Sequence, residues 1–354
     1  MALRQLKARD FRCFGSLAFE PGPGFNFIVG ANAQGKTSLL EAICVLLRLT
    51  SPRTLTLAPL TRHDQSAFSL RGVCRDVQLD LKHGTDGRTL SLNETPQPSS
   101  GDYLAVSGVV WFGNTDLEIV TGPGEGRRRF LDFLGGQMEP VYRKHLRAYE
   151  RALRSRNRLL KMTPVPRREL AAWDAPFLES GALLQLLRAN LVRELAPRAL
   201  AAHLAIRLPA GADGERLGIE YVASGGDDLL SALMDSAEHE ARIGQTVVGP
   251  HRDDLRIRLD GRSASEFGSE GQQRTIVLAL RLAQGELIAA SMSRPPILLI
   301  DDIFGELDLP RRNALVRALP EGAQKFVTAT SLSWLDESTP GATWRIESGV
   351  VETG

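Results

Sequence analysis

The sequence predicts an α/β fold: a nucleotide-binding lobe assembled from both ends of the chain, with a helical lobe inserted between them. Three observations carry this reading. Short strand-like runs fill residues 2 to 29 and return from Val247 onward. A helical stretch rich in Leu, Ala and Arg occupies about 126 to 242. Between the apolar run Phe25 to Val29 and the helical stretch Ser38 to Ala42 lies Gly30-Ala31-Asn32-Ala33-Gln34-Gly35-Lys36-Thr37. That octet is G-x-x-x-x-G-K-[ST] in strand–loop–helix context, the setting a phosphate-binding loop requires.

Composition agrees. The 354 residues are 43% hydrophobic and 24% charged, enough for a sizeable core, and the length suits about two lobes. No run approaches 18 uninterrupted apolar residues, the length a membrane span needs, and Met1 to Lys7 lacks a signal-peptide apolar stretch. Three cysteines, Cys13, Cys44 and Cys74, without metal-ligand spacing, point to a reducing cytoplasm and buried thiols. The net charge of +1 says nothing by itself, so a nucleic-acid surface would have to be a local patch.

In chain order, Pro21-Gly22-Pro23-Gly24 is a turn before the strand that enters the loop. Lys36 to about Leu47 predicts a helix, with Leu39, Leu40, Ile43 and Leu47 on its inner face. Residues 66 to 92 alternate apolar and polar around Gly84, Asp86 and Gly87, an antiparallel meander. Val106 to Phe112 predicts a further strand. The helical stretch is expected to break at Pro164-Val165-Pro166 and at Pro197, with a strand near Leu217 to Val222. Strands then follow at Leu255 to Leu259, Ile297 to Ile300 and Phe326 to Thr328. The expected division is 1–112 and 245–354 for the nucleotide-binding lobe and 113–244 for the helical lobe.

The loop residues have distinct tasks. Gly30 lets the backbone turn after the strand, and Gly35 lets it approach an anion. Amide N–H groups of residues 30 to 38, through Ser38, then surround phosphate at a helix N-terminus. Lys36 is the counter-charge for β- and γ-phosphates, and the Thr37 hydroxyl suits Mg²⁺. The expected ligands are therefore ATP and Mg²⁺. Pro296-Ile297-Leu298-Leu299-Ile300-Asp301-Asp302 reads as a central strand buried on both faces, ending in two carboxylates. Asp301 is expected on Mg²⁺ and Asp302 on the attacking water, at the edge where open α/β sheets bind ligands. Ser269, with Gly271 and Gln272, precedes an apolar helix from Ile276 to Ile288 and is a good N-cap.

Phosphate loop, Ser-x-Gly-Gln and paired carboxylates, in this order, resemble the ABC-type ATPases. That resemblance implies that Ser269, Gly271 and Gln272 cap the γ-phosphate held by a second subunit. It also implies a D-loop at Gly305-Glu306-Leu307-Asp308 along the dimer interface, and a switch position at Thr330 where transporters usually carry His. Residues 4 to 42 are similar to the N-terminal half of SMC-like ATPase heads, in which an Arg at the Arg12 position reaches the phosphates. Gly122 to Asp132, Val248 to Asp254 and Gln272-Gln273-Arg274-Thr275 narrow the resemblance to the RecF family, across essentially the whole chain. The resemblance implies an ABC/SMC-type lobe with a helical insertion and no long coiled coil. It implies an ATP-dependent homodimer that binds double-stranded DNA and single/double-strand junctions. Such a protein helps load the recombinase at single-strand gaps, with RecR and RecO-type mediators, in the nucleoid-bearing cytoplasm. Departures are Ala33 for the usual Gly, predicting a backbone that is not left-handed there, and Gly305 for the usual D-loop Ser. The Q-loop position also offers no Gln, only Asn114. Asp302 is one methylene shorter than the Glu of transporters, which predicts weak turnover.

Residues 143 to 168 hold ten Lys/Arg and one acid, Glu150. Arg143, Arg147, Arg151, Arg154, Arg158 and Lys161 fall on one helix stripe, beside an apolar stripe of Tyr142, Leu146, Tyr149, Leu153 and Leu160. A basic stripe on an apolar anchor suits sequence-independent phosphate contacts; a solvated helix face is the bland alternative. The role of His251-Arg252-Asp253-Asp254 stays open between active site, dimer and turn. Other functions fit less well. Lys36 and Ser269 are 233 positions apart, more than a transporter ATPase usually inserts. An SMC-type tether would need long heptads, and a phosphate-loop kinase has no use for the signature.

Overall fold

The computed structural model describes residues 3–54, 56–207, 215–333 and 340–353. The chain divides into two compact units, residues 1–115 with 284–354, and residues 116–283.

The first unit contains two sheets. Strands β1 (Leu3–Phe11), β2 (Phe14–Phe19), β4 (Phe68–Cys74), β5 (Val77–Gly84), β6 (Gly87–Leu92) and β7 (Thr95–Pro96) form an antiparallel sheet of order β2-β1-β4-β5-β6-β7. The meander read from residues 66 to 92 is its outer half. The second sheet is mostly parallel. It runs β15 (Val350–Thr353), β14 (Gly341–Glu347), β3 (Phe25–Val29), β13 (Lys325–Ala329), β12 (Ile297–Asp301), β8 (Val109–Gly113). Ile297 to Ile300 are almost wholly buried, as expected of a strand covered on both faces. Asp301 lies level with Thr328 on β13 and Gly113 on β8, and Ala329 with Val29 on β3. Four strands therefore deliver their C-terminal ends to one edge.

Helix α1 (Lys36–Arg48) is buried nearly all round, including Leu39, Leu40, Ile43 and Leu47. Short α2 (Gly101–Ala105) and α11 (Leu309–Ala318) complete this unit. Cys44 and Cys74 are buried as expected, whereas Cys13 is exposed.

The second unit contains α3 (Glu118–Thr121), α4 (Gly124–Met138), α5 (Pro140–Leu160), α6 (Arg167–Ala172), α7 (Asp174–Ile206), α8 (Leu229–Ile243) and α9 (Ala264–Phe267). Its sheet is β11 (Arg262–Ser263), β10 (Asp254–Leu259), β9 (Leu217–Val222). Because β10 pairs with β9 over Asp254 to Leu259, these strands belong with the helices, and the unit extends beyond residue 244 to 283. The core packs Tyr142, Tyr149 and Ala152 of α5 on Phe177 and Leu184 of α7. The break at Pro164 to Pro166 falls between α5 and α6, but none occurs at Pro197, which lies inside the 33-residue α7. A helix-interior Pro costs about 3 kcal/mol. Burial of Leu191, Val192, Leu195, Ala199 and Ala202 on either side outweighs it. Helix α10 (Glu270–Met292) begins in this unit and ends in the other. Among the described residues it alone has the length and hydropathy of a membrane span, and 72% of that window is buried within the protein.

Candidate functional site

The phosphate loop leaves β3 and enters α1 as its sequence requires. At Gly30 any Cβ would lie 2.4 Å from the Ile346 carbonyl oxygen, so only Gly fits. Gly35 has φ 113, and a Cβ there would meet Cys13 Sγ at 2.9 Å. Ala33 does not follow expectation: its φ is 65, in the left-handed region. The loop imposes that conformation even on a residue for which it costs about 1–2 kcal/mol. Gln34 ties the loop to the strand hairpin at its side, its side-chain oxygen accepting from Ser348 N at 2.6 Å. Lys36 is folded back, its Nζ donating to Gly30 O at 2.8 Å and Ala31 O at 2.9 Å. Burial lowers its pKa, against the opposing pull of Asp302 and Asp301. Ala31, Asn32 and Ala33 are exposed along the mouth, and Thr37 and Ser38 open the helix.

The second half of the site comes from β12 and β13. Thr37 Oγ1 donates to Asp301 Oδ1 at 2.9 Å, joining residues 264 positions apart. Burial raises the Asp301 pKa, while the Thr328 and Thr37 hydroxyls oppose that rise. Asp302 adopts φ 58, turning the chain directly after the strand. A hydroxyl beside a carboxylate is a hard-oxygen donor set, which fits Mg²⁺. An open cleft of about 550 Å³ gathers Asp302, Gly305, Arg312, Thr330 and Ser331. Thr330 is exposed at its wall. Asp308 caps α11 through Arg311 N at 2.9 Å and pairs with the Arg311 guanidinium. Asn114 is exposed directly beyond β8, the neighbour of β12.

Arg12, expected on phosphate, is held elsewhere. Its Nε and Nη2 donate to the two oxygens of Glu41 at 2.8 and 2.9 Å, and its Nη1 to Pro59 O at 3.2 Å. Glu41 is fully buried and also accepts from Ser51 Oγ. Arg53, absent from the residues chosen by sequence, has a half-exposed side chain 3.8 Å from Glu41 and close enough to act on the Asp301 charge. The only sequence signal for it was a cation in the turn that follows α1.

In the second unit, Ser269 and Gln272 form a reciprocal capping box: Ser269 N donates to Gln272 Oε1 at 2.8 Å, and Gln272 N to Ser269 Oγ at 3.3 Å. Ser269 is exposed and Gly271 partly so, at the start of a 23-residue helix. Within the His251 to Asp254 cluster, His251, Asp253 and Asp254 are wired to neighbouring side chains, whereas Arg252 is exposed. Arg188 joins Asp132 at 2.8 Å and Asp253 at 2.9 Å, and Tyr221 donates to Asp253. Arg127 grips both oxygens of Asp254, at 2.6 and 3.0 Å. His251 Nδ1 meets the Tyr149 hydroxyl at 2.6 Å and its Nε2 the Thr246 carbonyl at 3.0 Å. Burial pushes its pKa down to about 4, the Thr246 contact opposing.

On α5 the apolar stripe packs inward: Tyr142, Tyr149 and Leu160 are buried, and Leu146 and Leu153 lie against the core. Arg147, Arg151, Arg154, Arg158 and Lys161 are exposed. Arg143 is only partly so and donates to the Gly136 carbonyl. Of the ten basic residues counted there, Arg156 is not on the surface. It is buried and paired with Glu240 and Asp174.

Comparison with known proteins places these features. A family model described as an AAA domain matches residues 5–118. The DNA replication and repair protein RecF of Symbiobacterium thermophilum is 38% identical, over 94% of this chain and 92% of its own. The solved structure of the recombination mediator protein RecF-ATP in the RecFOR pathway superposes with a TM-score of 0.89 at 28% identity, covering 100% of this chain and 97% of that one. An SMC head domain from Pyrococcus furiosus, with an extended coiled coil and bound to the C-terminal domain of ScpA, shares the fold. Its TM-score is 0.56 at 14% identity, over 100% of this chain and 96% of that one. The ABC/SMC-type head predicted from the motifs is therefore the fold found, and the chain belongs to the RecF family of DNA replication and repair proteins.

Proposed function

We propose that the protein is a slow, DNA-stimulated ATPase that works as a switch in recombinational repair and replication restart. One observation carries this reading: Thr37 of the phosphate loop and Asp301 of β12 meet at 2.9 Å. Gly30 to Ser38 bind ATP, Lys36 leaving the Gly30 and Ala31 carbonyls for the β- and γ-phosphates. Thr37 and Asp301 hold Mg²⁺, which when bound neutralises phosphate charge. Asp302 orients water from the cleft. Arg53 is better placed than Arg12 to reach a phosphate, because Arg12 is committed to both oxygens of Glu41.

A second copy of the chain supplies Ser269, Gly271 and Gln272 to the γ-phosphate, with Asp308 and Thr330 near the shared surface. ATP therefore closes a homodimer and hydrolysis releases it. The α5 stripe from Arg143 to Lys161 contacts the backbone of duplex DNA or of single/double-strand junctions. If DNA binds the dimer alone, ATP and DNA affinities rise together by linkage. RecR- and RecO-type mediators then receive the protein at single-strand gaps, in the cytoplasm and on the nucleoid. The relatives named as RecF proteins and the RecF-ATP structure in the RecFOR pathway support this assignment.

Gel filtration and a DNA-shift assay test it together. The wild-type protein dimerises and shifts DNA with ATP, with turnover below about 10 s⁻¹, the median of enzymes. Lys36→Met remains monomeric, and Arg147, Arg151 and Arg154 changed together to Glu abolish the shift while sparing ATP binding. Dimerisation that survives without Lys36, or unchanged DNA affinity at low salt in the triple variant, overturns the switch.

A further inference from the structure

Thr328 on β13 belongs to none of the motifs, yet its hydroxyl links the Asp301 carboxylate to the backbone amide of Asp302. It is buried, and its register partner across β12 is Asp301. Thr328 Oγ1 lies 2.9 Å from Asp301 Oδ1 and 2.8 Å from Asp302 N. A backbone amide can only donate, so Thr328 accepts from Asp302, and its single proton goes to Asp301. Thr37 gives its proton to the same oxygen of Asp301. Two hydroxyl donors on one carboxylate oxygen define the rotation of that carboxylate. They also leave the Thr37 lone pairs, rather than its proton, available to a cation. On the other side, the accepted N–H anchors Asp302 in its left-handed conformation, φ 58, which aims the residue out of the strand.

We infer that Thr328 is a positioning residue that couples the cation-binding carboxylate Asp301 to the water-orienting Asp302 through one hydroxyl. The inference rests on the ATPase reading above. A side chain that merely filled space on β13 would be replaceable by Val, which has the same shape and neither the proton nor the lone pair. Ser keeps both and drops only a methyl group. The role is therefore separable from packing by two variants at one position.

The test uses the full chain and a fluorescent ATP analogue. Its affinity is measured in EDTA and along a Mg²⁺ titration, and turnover of ATP is measured in parallel. For Thr328→Val, metal-free affinity stays within twofold of wild type and half-saturating Mg²⁺ rises about tenfold. Its kcat falls about tenfold or more, the size expected when a hydrogen bond to a charged group is lost, and KM changes much less. Thr328→Ser stays within threefold of wild type in all three readouts. A Val variant matching wild type in Mg²⁺ dependence and kcat overturns the inference. So does a Ser variant as impaired as Val, or loss of metal-free binding in Val, which would make Thr328 a strut of the loop. A wild-type protein that binds no nucleotide refutes the ATPase reading itself, an outcome distinct from all of these.

Discussion

Of the three Asp-Asp dipeptides in the chain, those at 253–254 and 301–302 have opposite surroundings. Asp253 is fully buried and receives Arg188, Tyr221, the Gln185 side chain and the Ser224 amide. Asp254 is held by both arms of Arg127, and although its burial works against the charge, that pairing brings its pKa down. At 301–302 no guanidinium is hydrogen-bonded to either carboxylate among the described residues, and Arg53 acts on Asp301 only through its charge. Asp301 receives two hydroxyls, its pKa is raised by burial, and no hydrogen bond to the Asp302 carboxylate is found among the described residues. A carboxylate satisfied by permanent cations is structural. One supplied only with hydroxyls keeps unspent charge for ligands that come and go.

The contrast can be broken by mutation. The largest expected effect is at Asp253: Asp253→Ala leaves Arg188 buried without one of its partners and lowers unfolding free energy by about 3–5 kcal/mol. Asp302→Asn, which keeps a side chain that tolerates the left-handed backbone at φ 58, shifts it by less than about 0.5 kcal/mol, since it removes no buried partner. Chemical denaturation without nucleotide reads both, and equal losses would erase the distinction. An intermediate effect comes from pH. His251 has a folded pKa of about 4, below its ordinary 6.5, so the fold favours its neutral form. Its contribution is complete above pH 6.5 and is lost as pH falls from there toward 4, because the unfolded chain takes up a proton that the fold excludes. The stability difference between wild type and His251→Asn therefore shrinks between pH 7 and pH 4.5, and a constant difference would disprove it. The smallest effect is at the phosphate loop. Ala33→Gly relieves a left-handed Ala but adds freedom to the unfolded chain, a net gain below about 1 kcal/mol. A drop in melting temperature would show that the Ala33 methyl has contacts that matter.

Much of this was legible beforehand, for reasons that differ by residue. The phosphate loop, β12 and the Ser269 cap are local: each is encoded within about ten residues by glycines, an apolar run or a capping box. Arg53 and Thr328 were not legible, because their significance lies in what a distant strand or helix brings beside them. Arg12 shows the converse. A motif places it near the loop, but its partner Glu41, on the opposite side of that loop in sequence, decides where its guanidinium points. Pro197 was read by its local rule and overruled by packing, and Ala33 by the geometry of the loop itself.

The order of strands around the loop has a consequence for synthesis. Strand β3 is made near the start of translation, but its neighbours on either side are β13 and β14. Both emerge only after the whole of the second unit has left the ribosome. The helical unit, continuous in sequence from 116 to 283, can fold on schedule during that interval. The nucleotide pocket cannot, since β12 and the Ile346 wall behind Gly30 do not yet exist. A nascent chain would thus carry its basic helix α5 well before it carries a complete phosphate-loop pocket.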